Sequence, residues 1–352
     1  MNVPSVQVID PRLSPAWDEF VAQQPEGSVF HSTAWARVLL ETYRYQPRYY
    51  VLTEASGGIL AGVPLLLVSS RLTGRRLVGL PFSDLCPPLV RDGCDPSPLL
   101  ESIRRDAQGD HLSYVEMRGP SPLPLRQWDF QETACFTRHV IPLDKSLEEL
   151  EAAFHSSARR GMKKALREGV SVHSATSPQD MRRFYDLYVT TRRKHGVVPA
   201  PYRFFENIQA HLLASGSGRL LLAEWKGRLI AADLLLWDAR RLFYKFNVSS
   251  PQFLEQRPNN LLMWEAIRLG RELGCSAFDL GRSEADNEGL QRFKSLWASE
   301  ASPLPYYYYP TVKGFATEDG SSIKRTLMSI AVRLTPRPFL PRAGALLYRH
   351  LG

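Results

Sequence analysis

Lys294 is a side chain placed to act on charge: it follows Phe293, just after a short apolar run, Ala277–Leu280, and a turn that begins at Gly281. An ammonium there either reaches a cleft between domains or sits solvated on a helix surface. Asp279, Gly281 and Arg282 close the apolar run. A carboxylate at a strand end orients an amine or holds an arginine, and Arg282 can fork onto phosphate or carboxylate. The alternative is an internal ion pair. Upstream, Arg159, Arg160, Lys163, Lys164 and Arg167 open a helix. Positions 160, 163, 164 and 167 share one face, giving a stripe that attracts phosphates or is simply solvated. Arg192, Arg193 and Lys194 form a second basic group at a helix end, where cations also satisfy the helix C-terminus. Tyr244 and Lys245 lie mid-strand between Phe243 and Phe246, facing either a substrate or the core.

Other chemistries are disfavoured. Gly-x-Ser-x-Gly is missing, its nearest fragment being Gly216-Ser217-Gly218 in a loop, so a hydrolase elbow has no support. The eight histidines show no metal spacing, and Cys86, Cys94, Cys135 and Cys275 form no Cys-x-x-Cys pair. No metal site is expected, and the thiols read as reduced, as in a cytoplasmic protein. A net charge of +8 points to an anionic partner: nucleic acid, a phosphorylated substrate or an anionic membrane face. Met1–Asp10 lacks a signal-peptide pattern, and no run approaches the ~18 apolar residues of a membrane span.

The 352 residues suffice for two ordinary domains. In the second half, Leu220–Trp225, Arg228–Trp237 and Leu242–Val248 read as an antiparallel meander with tight turns. Helical spacing follows over Leu261–Leu273, Gly274 ends it, and Ala277–Leu280 is a buried strand. The first half repeats this order: strands Tyr49–Glu54, Leu60–Ser69 and Arg76–Leu80, a helix over Ser97–Ala107, then Tyr114–Met117. The offset is roughly 165 residues. Two helices precede each meander: Ala16–Gln23 and Ser32–Thr42, then Pro178–Lys194 and Tyr202–Ala214. This is the element order of the GNAT acetyltransferase fold, twice: an α/β protein with two tandem GNAT-like domains. Their sheets are mixed and mostly antiparallel, flanked by helices. Boundaries are expected at 1–143 and 144–310, with Tyr306–Tyr309 a final strand pairing within the second half. A C-terminal segment, 311–352, is expected to return to the first domain.

Several stretches together resemble the FemABX family and the related BioF2-like acyltransferases. They are Phe30-His31-Ser32-Thr33-Ala34-Trp35, Gly79-Leu80-Pro81-Phe82-Ser83-Asp84, Ile141-Pro142-Leu143-Asp144 and Ser157–Ala165. Pro258-Asn259-Asn260-Leu261-Leu262, Phe278–Ser283 and Asn287–Lys294 complete the set. The likeness runs to about Tyr309, and Ser174–Ala214 leaves no room for the helical hairpin some members insert. It implies transfer of an aminoacyl group from aminoacyl-tRNA to an amine of a peptidoglycan precursor. Lys294 would neutralise a phosphate of the tRNA acceptor end or the oxyanion of the ester. Asp279 and Arg282 would shape the site, and Phe293, Asn260, Arg159, Arg160, Lys163, Lys164, Arg192, Tyr244 and Lys245 would contact substrate. Arg37 would help hold the precursor's diphosphate. Aminolysis of an ester needs positioning, charge stabilisation and removal of one proton, so no cofactor or triad is implied.

Two other functions stay open: an acyl-CoA-dependent N-acyltransferase in polysaccharide biosynthesis, and a non-catalytic basic binding module. Acetyl-CoA enzymes of this fold carry Arg/Gln-x-x-Gly-x-Gly/Ala, whose amides cradle the pyrophosphate. Arg71-Leu72-Thr73-Gly74 is the nearest fragment, and nothing comparable follows Val248. In the tail, Ile323–Leu334 and Ala343–Leu351 read as amphipathic helices with Lys324, Arg325, Arg333, Arg342 and Arg349. They either pack on the first domain or rest on the inner face of the cytoplasmic membrane.

Overall fold

The structure, a computed structural model, describes residues 4–70, 74–310 and 329–350. They fall into two compact units: Met1–Cys135 with Leu304–Lys324 and Ala345–Gly352, and Phe136–Pro303 with Arg325–Gly344.

Unit 1 begins with β1 (Ser5–Ile9), α1 (Pro15–Gln23) and α2 (Thr33–Tyr43). The meander is β2 (Gln46–Thr53), β3 (Ile59–Ser70) and β4 (Gly74–Gly79), with β5 (Leu89–Val90) pairing β3. After α3 (Ser97–Gly109), β6 (Tyr114–Arg118) pairs parallel with β4, the crossover that a parallel neighbour requires. The sheet runs β1-β2-β3-β4-β6. β3 is apolar and buried along nearly its whole length, as a strand covered on both faces must be. Leu99, Leu100 and Ile103 of α3 join Tyr50, Leu65, Leu77 and Val115 in one core.

Unit 2 holds the rest of β7 (Gln131–Pro142), α4 (Leu147–Ala153), α5 (Ser156–Arg167), β8 (Ser171–Ala175), α6 (Pro178–Lys194) and α7 (Tyr202–Ile208). Its meander is β9 (Gly218–Trp225), β10 (Arg228–Trp237) and β11 (Arg241–Ser249). Then come α8 (Pro258–Glu272), β12 (Ala277–Ser283) and α9 (Glu288–Ser295). β12 pairs parallel with β11, as β6 does with β4, and antiparallel with β7. The repeat read from element order is therefore a repeat of topology, each meander linked through one helix to a parallel fourth strand.

One expectation needs correction. Tyr306–Tyr309, the last residues of β13 (Glu300–Tyr309), pair with β6 of unit 1, in register Tyr306↔Arg118 to Tyr309↔Val115. β6 carries buried Glu116 and half-buried Arg118. The Tyr308 hydroxyl donates to Glu116 Oε2 at 2.9 Å, and Arg118 lies 5.5 Å from the Tyr306 ring centroid. Partners for a buried charged pair fix the strand's place, and tertiary pairing of that kind leaves no local pattern.

The tail is described in two parts. In unit 1, the Tyr348 ring stacks 5.5 Å from Phe82, and Arg76 donates to the His350 carbonyl at 2.7 Å. In unit 2, residues 329–334 are helical and Arg193 Nε donates to the Arg333 carbonyl at 3.2 Å. A last helix, α10, spans Leu340–Leu347. Residues 323–328 of the expected amphipathic helix and the Arg71-Leu72-Thr73 fragment lie outside the described residues. No helix among the described residues is long and apolar enough to cross a membrane.

Candidate functional site

Unit 2 gathers most of the residues singled out from sequence, in two adjoining places. The first is a cavity of about 300 Å³ lined by Ser157, Arg160, Gly161 and Lys164 of α5, Arg257 and Asn260 at the start of α8, and Phe293 and Leu296 beside α9. The small side of α5 makes this possible. A Cβ on Gly161 would lie 2.7–2.9 Å from the Asn260 side-chain amide, so glycine lets the two helices approach there. Arg160, Lys164 and Arg257 give the cavity positive charge, Ser157 and Asn260 offer hydrogen bonds, and Phe293 offers a ring. That inventory suits a phosphodiester with an adjacent base or apolar group.

The second place is the end of β12. Gly281 has φ +69°, a left-handed conformation that glycine adopts freely, and its N–H donates to Asp279 Oδ1 at 2.8 Å. The turned backbone presents two carbonyls to Lys294, whose Nζ donates to Gly281 O at 2.9 Å and Arg282 O at 3.0 Å. Lys294 is 3% exposed, although the residue before it on α9 lines the cavity. Its ammonium is thus held inside the protein. Asp279, also 3% exposed, takes Arg138 Nε and Nη2 on Oδ2, both at 2.8 Å. Of the two roles open to this carboxylate, it holds an arginine, on β7 rather than next to it in sequence. The Arg282 guanidinium lies 4.4 Å from the centroid of Phe136.

Other expected contacts lie elsewhere. Arg159 and Lys163 do not line the cavity; the helical turn aims 157, 160, 161 and 164 there instead. Arg192 stacks on Tyr188, 5.8 Å from its centroid. Lys245 is the extra residue of a β-bulge, skipped where the β10–β11 register shifts between Leu234 and Leu235. Arg37 is exposed on α2 in unit 1, where its charge helps to lower the Asp10 carboxyl.

Two buried titratable groups went unread. Asp233 on β10 is fully buried, accepts from Asn247 Nδ2 at 2.7 Å, and through Asn247 touches Asn259 at the start of α8. Burial raises its pKa to about 7, against hydrogen bonds from Asn247 and Tyr244 that lower it. The Tyr244 hydroxyl is pushed well up by burial and by the charge of Asp233. An acid inside the apolar run of β10 was the available signal. His139 on β7 is 3% exposed, and its Nδ1 is buried without a hydrogen-bond partner among the described residues. Burial and the neighbouring Lys294 lower its pKa, which favours the neutral imidazole.

Among the described residues no group of three His, Cys, Asp or Glu could hold a metal ion. A CoA pyrophosphate would need free backbone N–H groups at the start of α8. Pro258 has none, and the Asn260 N–H donates to the Arg257 carbonyl at 3.1 Å. Those two positions offer a pyrophosphate no free N–H.

The fold is a tandem GNAT fold. The acetyltransferase (GNAT) domain model matches residues 152–295, within the second copy. The chain is similar to the UDP-N-acetylmuramoylpentapeptide-lysine N(6)-alanyltransferase of Weissella viridescens, 24% identical over 325 residues, 85% of this chain and 93% of the relative. It is 20% identical to a lipid II:glycine glycyltransferase of Staphylococcus haemolyticus over 380 residues, 81% and 88% of the two chains. The crystal structure of FemX superposes with a TM-score of 0.69 at 16% identity, covering 92% of this chain and all of that one. A tandem GNAT protein from the clavulanic acid biosynthesis pathway gives 0.57 at 10% identity, covering 88% and 100%. The resemblance to FemABX-type aminoacyltransferases drawn from motifs thus holds over most of the length.

Proposed function

We propose that this chain is an N-acyltransferase that moves an aminoacyl group from aminoacyl-tRNA to an amine of a cell-envelope precursor such as a peptidoglycan peptide. The observation that carries this is the basic cavity at α5, α8 and α9 in a chain whose curated relatives are named alanyl- and glycyltransferases of such precursors. Arg160, Lys164 and Arg257 hold phosphates of the acceptor end, and Phe293 packs on its terminal base. The carbonyl of the ester lies near α9, where Lys294 contributes positive charge to the developing oxyanion. Asp279 positions this end of β12 through Arg138 and the Gly281 amide. The attacking amine displaces the tRNA 3′ oxygen, forming one amide and breaking one ester. The proton the amine gives up passes to the leaving oxygen, so the step balances without a protein base. The enzyme works in the cytoplasm, at or near the inner membrane face, without a cofactor.

The test is direct. The chain is incubated with a nucleotide-linked peptidoglycan precursor and either charged tRNA or acetyl-CoA, and the precursor is weighed by mass spectrometry. An aminoacyl mass increment dependent on charged tRNA is expected. An acetyl increment from CoA alone would replace this reading.

A further inference from the structure

Ten large apolar side chains are exposed among the described residues, and three of them, Ile330 (48%), Leu334 (76%) and Phe339 (56%), fall within ten positions of one another. They belong to the tail segment of unit 2. Its inner side is firmly seated: Val332 and Leu340 are buried, and a Cβ on Gly344 would lie 2.0 Å from the Pro199 carbonyl oxygen. Ser329 fits against Gly196, and Arg337 hydrogen-bonds the Asp186 carbonyl at 3.3 Å and the Thr190 hydroxyl. The exposed apolar residues are therefore the outer face of a docked element. Arg333 and Arg337 stand between them and Arg342 just beyond, all three exposed, and 329–344 contains no Asp or Glu. The adjoining end of α6 adds Arg193, exposed Lys194 and exposed Val197, with Asp186 the acid at the margin.

Cations alone would suit nucleic acid, but phosphates leave leucine and phenylalanine wet. Apolar residues alone would suit another protein, but nothing then explains the uniform charge. An anionic bilayer takes both: arginines at the headgroups and apolar tips at the acyl boundary. We propose that residues 329–344, with the end of α6, form the surface by which this chain lies on an anionic phospholipid membrane. This rests on the reading of a cell-envelope acceptor and names the surface that brings the enzyme to it.

The test uses the full chain and sedimentation with vesicles, either of phosphatidylcholine alone or with an equal part of phosphatidylglycerol. Binding to the mixed vesicles and little to the neutral ones is expected. Leu334→Ser/Phe339→Ser and, separately, Arg333→Gln/Arg342→Gln should each lower partitioning roughly tenfold with an unchanged thermal midpoint. Wild-type protein that stays in the supernatant, or variants that partition as it does, would overturn the proposal. So would a wild-type dimer that the Leu334→Ser/Phe339→Ser change dissolves while vesicles are ignored. Transfer to a soluble precursor without vesicles is scored separately. Vesicle binding without transfer keeps this surface and rejects the transferase reading, and the reverse outcome does the opposite.

Discussion

At the scale of residues, the site is built from groups whose burial sets their chemistry. Lys294 spends two donors on backbone carbonyls, so its charge is fixed in place rather than waving in solvent. Lys294→Met should lower kcat by about 100-fold with a smaller change in KM for charged tRNA, as loss of charge stabilisation does. A fall in thermal midpoint with kcat intact would reduce Lys294 to a brace. Asp233 supplies a pH test. Its folded pKa of about 7 exceeds the unfolded 3.8, so the fold binds the extra proton and loses stability as pH rises through that interval. About three units correspond to roughly 4 kcal/mol at most. Asp233→Asn should therefore gain thermal midpoint over wild type as pH moves from 5 to 8, and a gap that ignores pH would contradict the assignment. Phe293-Lys294 was legible because the pair sits in a motif. Asp233 and His139 were not, since a lone polar residue in an apolar strand does not reveal what faces it.

At the scale of elements, the cavity exists because two helices approach closely. Gly161→Ala would drive a methyl group into the Asn260 amide and should destabilise by about 1–3 kcal/mol. Asn260→Ala in the same chain should recover much of that loss, and a double-mutant cycle in urea measures the coupling. Additive effects would mean the helices do not meet there. On β6, Glu116→Ala takes the carboxylate from half-buried Arg118, which keeps its bond to the Ser83 carbonyl, and should cost about 1–3 kcal/mol, read from the denaturation midpoint. The meanders and the helices around them were legible from period and turns, α6 to its end residues, whereas β1, β7 and β8 were not read. The pairing of Tyr306–Tyr309 was not, because four consecutive tyrosines fit any sheet edge until the Glu116–Arg118 pair selects one.

At the scale of the molecule, duplication was visible in the order of elements, and the shared parallel crossover in each unit makes it a repeat of fold. The proposed donor site, by contrast, belongs to one unit alone and depends on a single cavity and its charge. The salt dependence of KM for charged tRNA measures that charge most directly, in wild type and in Arg160→Gln/Lys164→Gln. With both cations contacting phosphates, the variant should raise KM at least tenfold and flatten the log–log salt slope by about 1.5, with kcat nearly unchanged. Equal KM and equal slope in the two proteins would contradict the placement of the donor in this cavity.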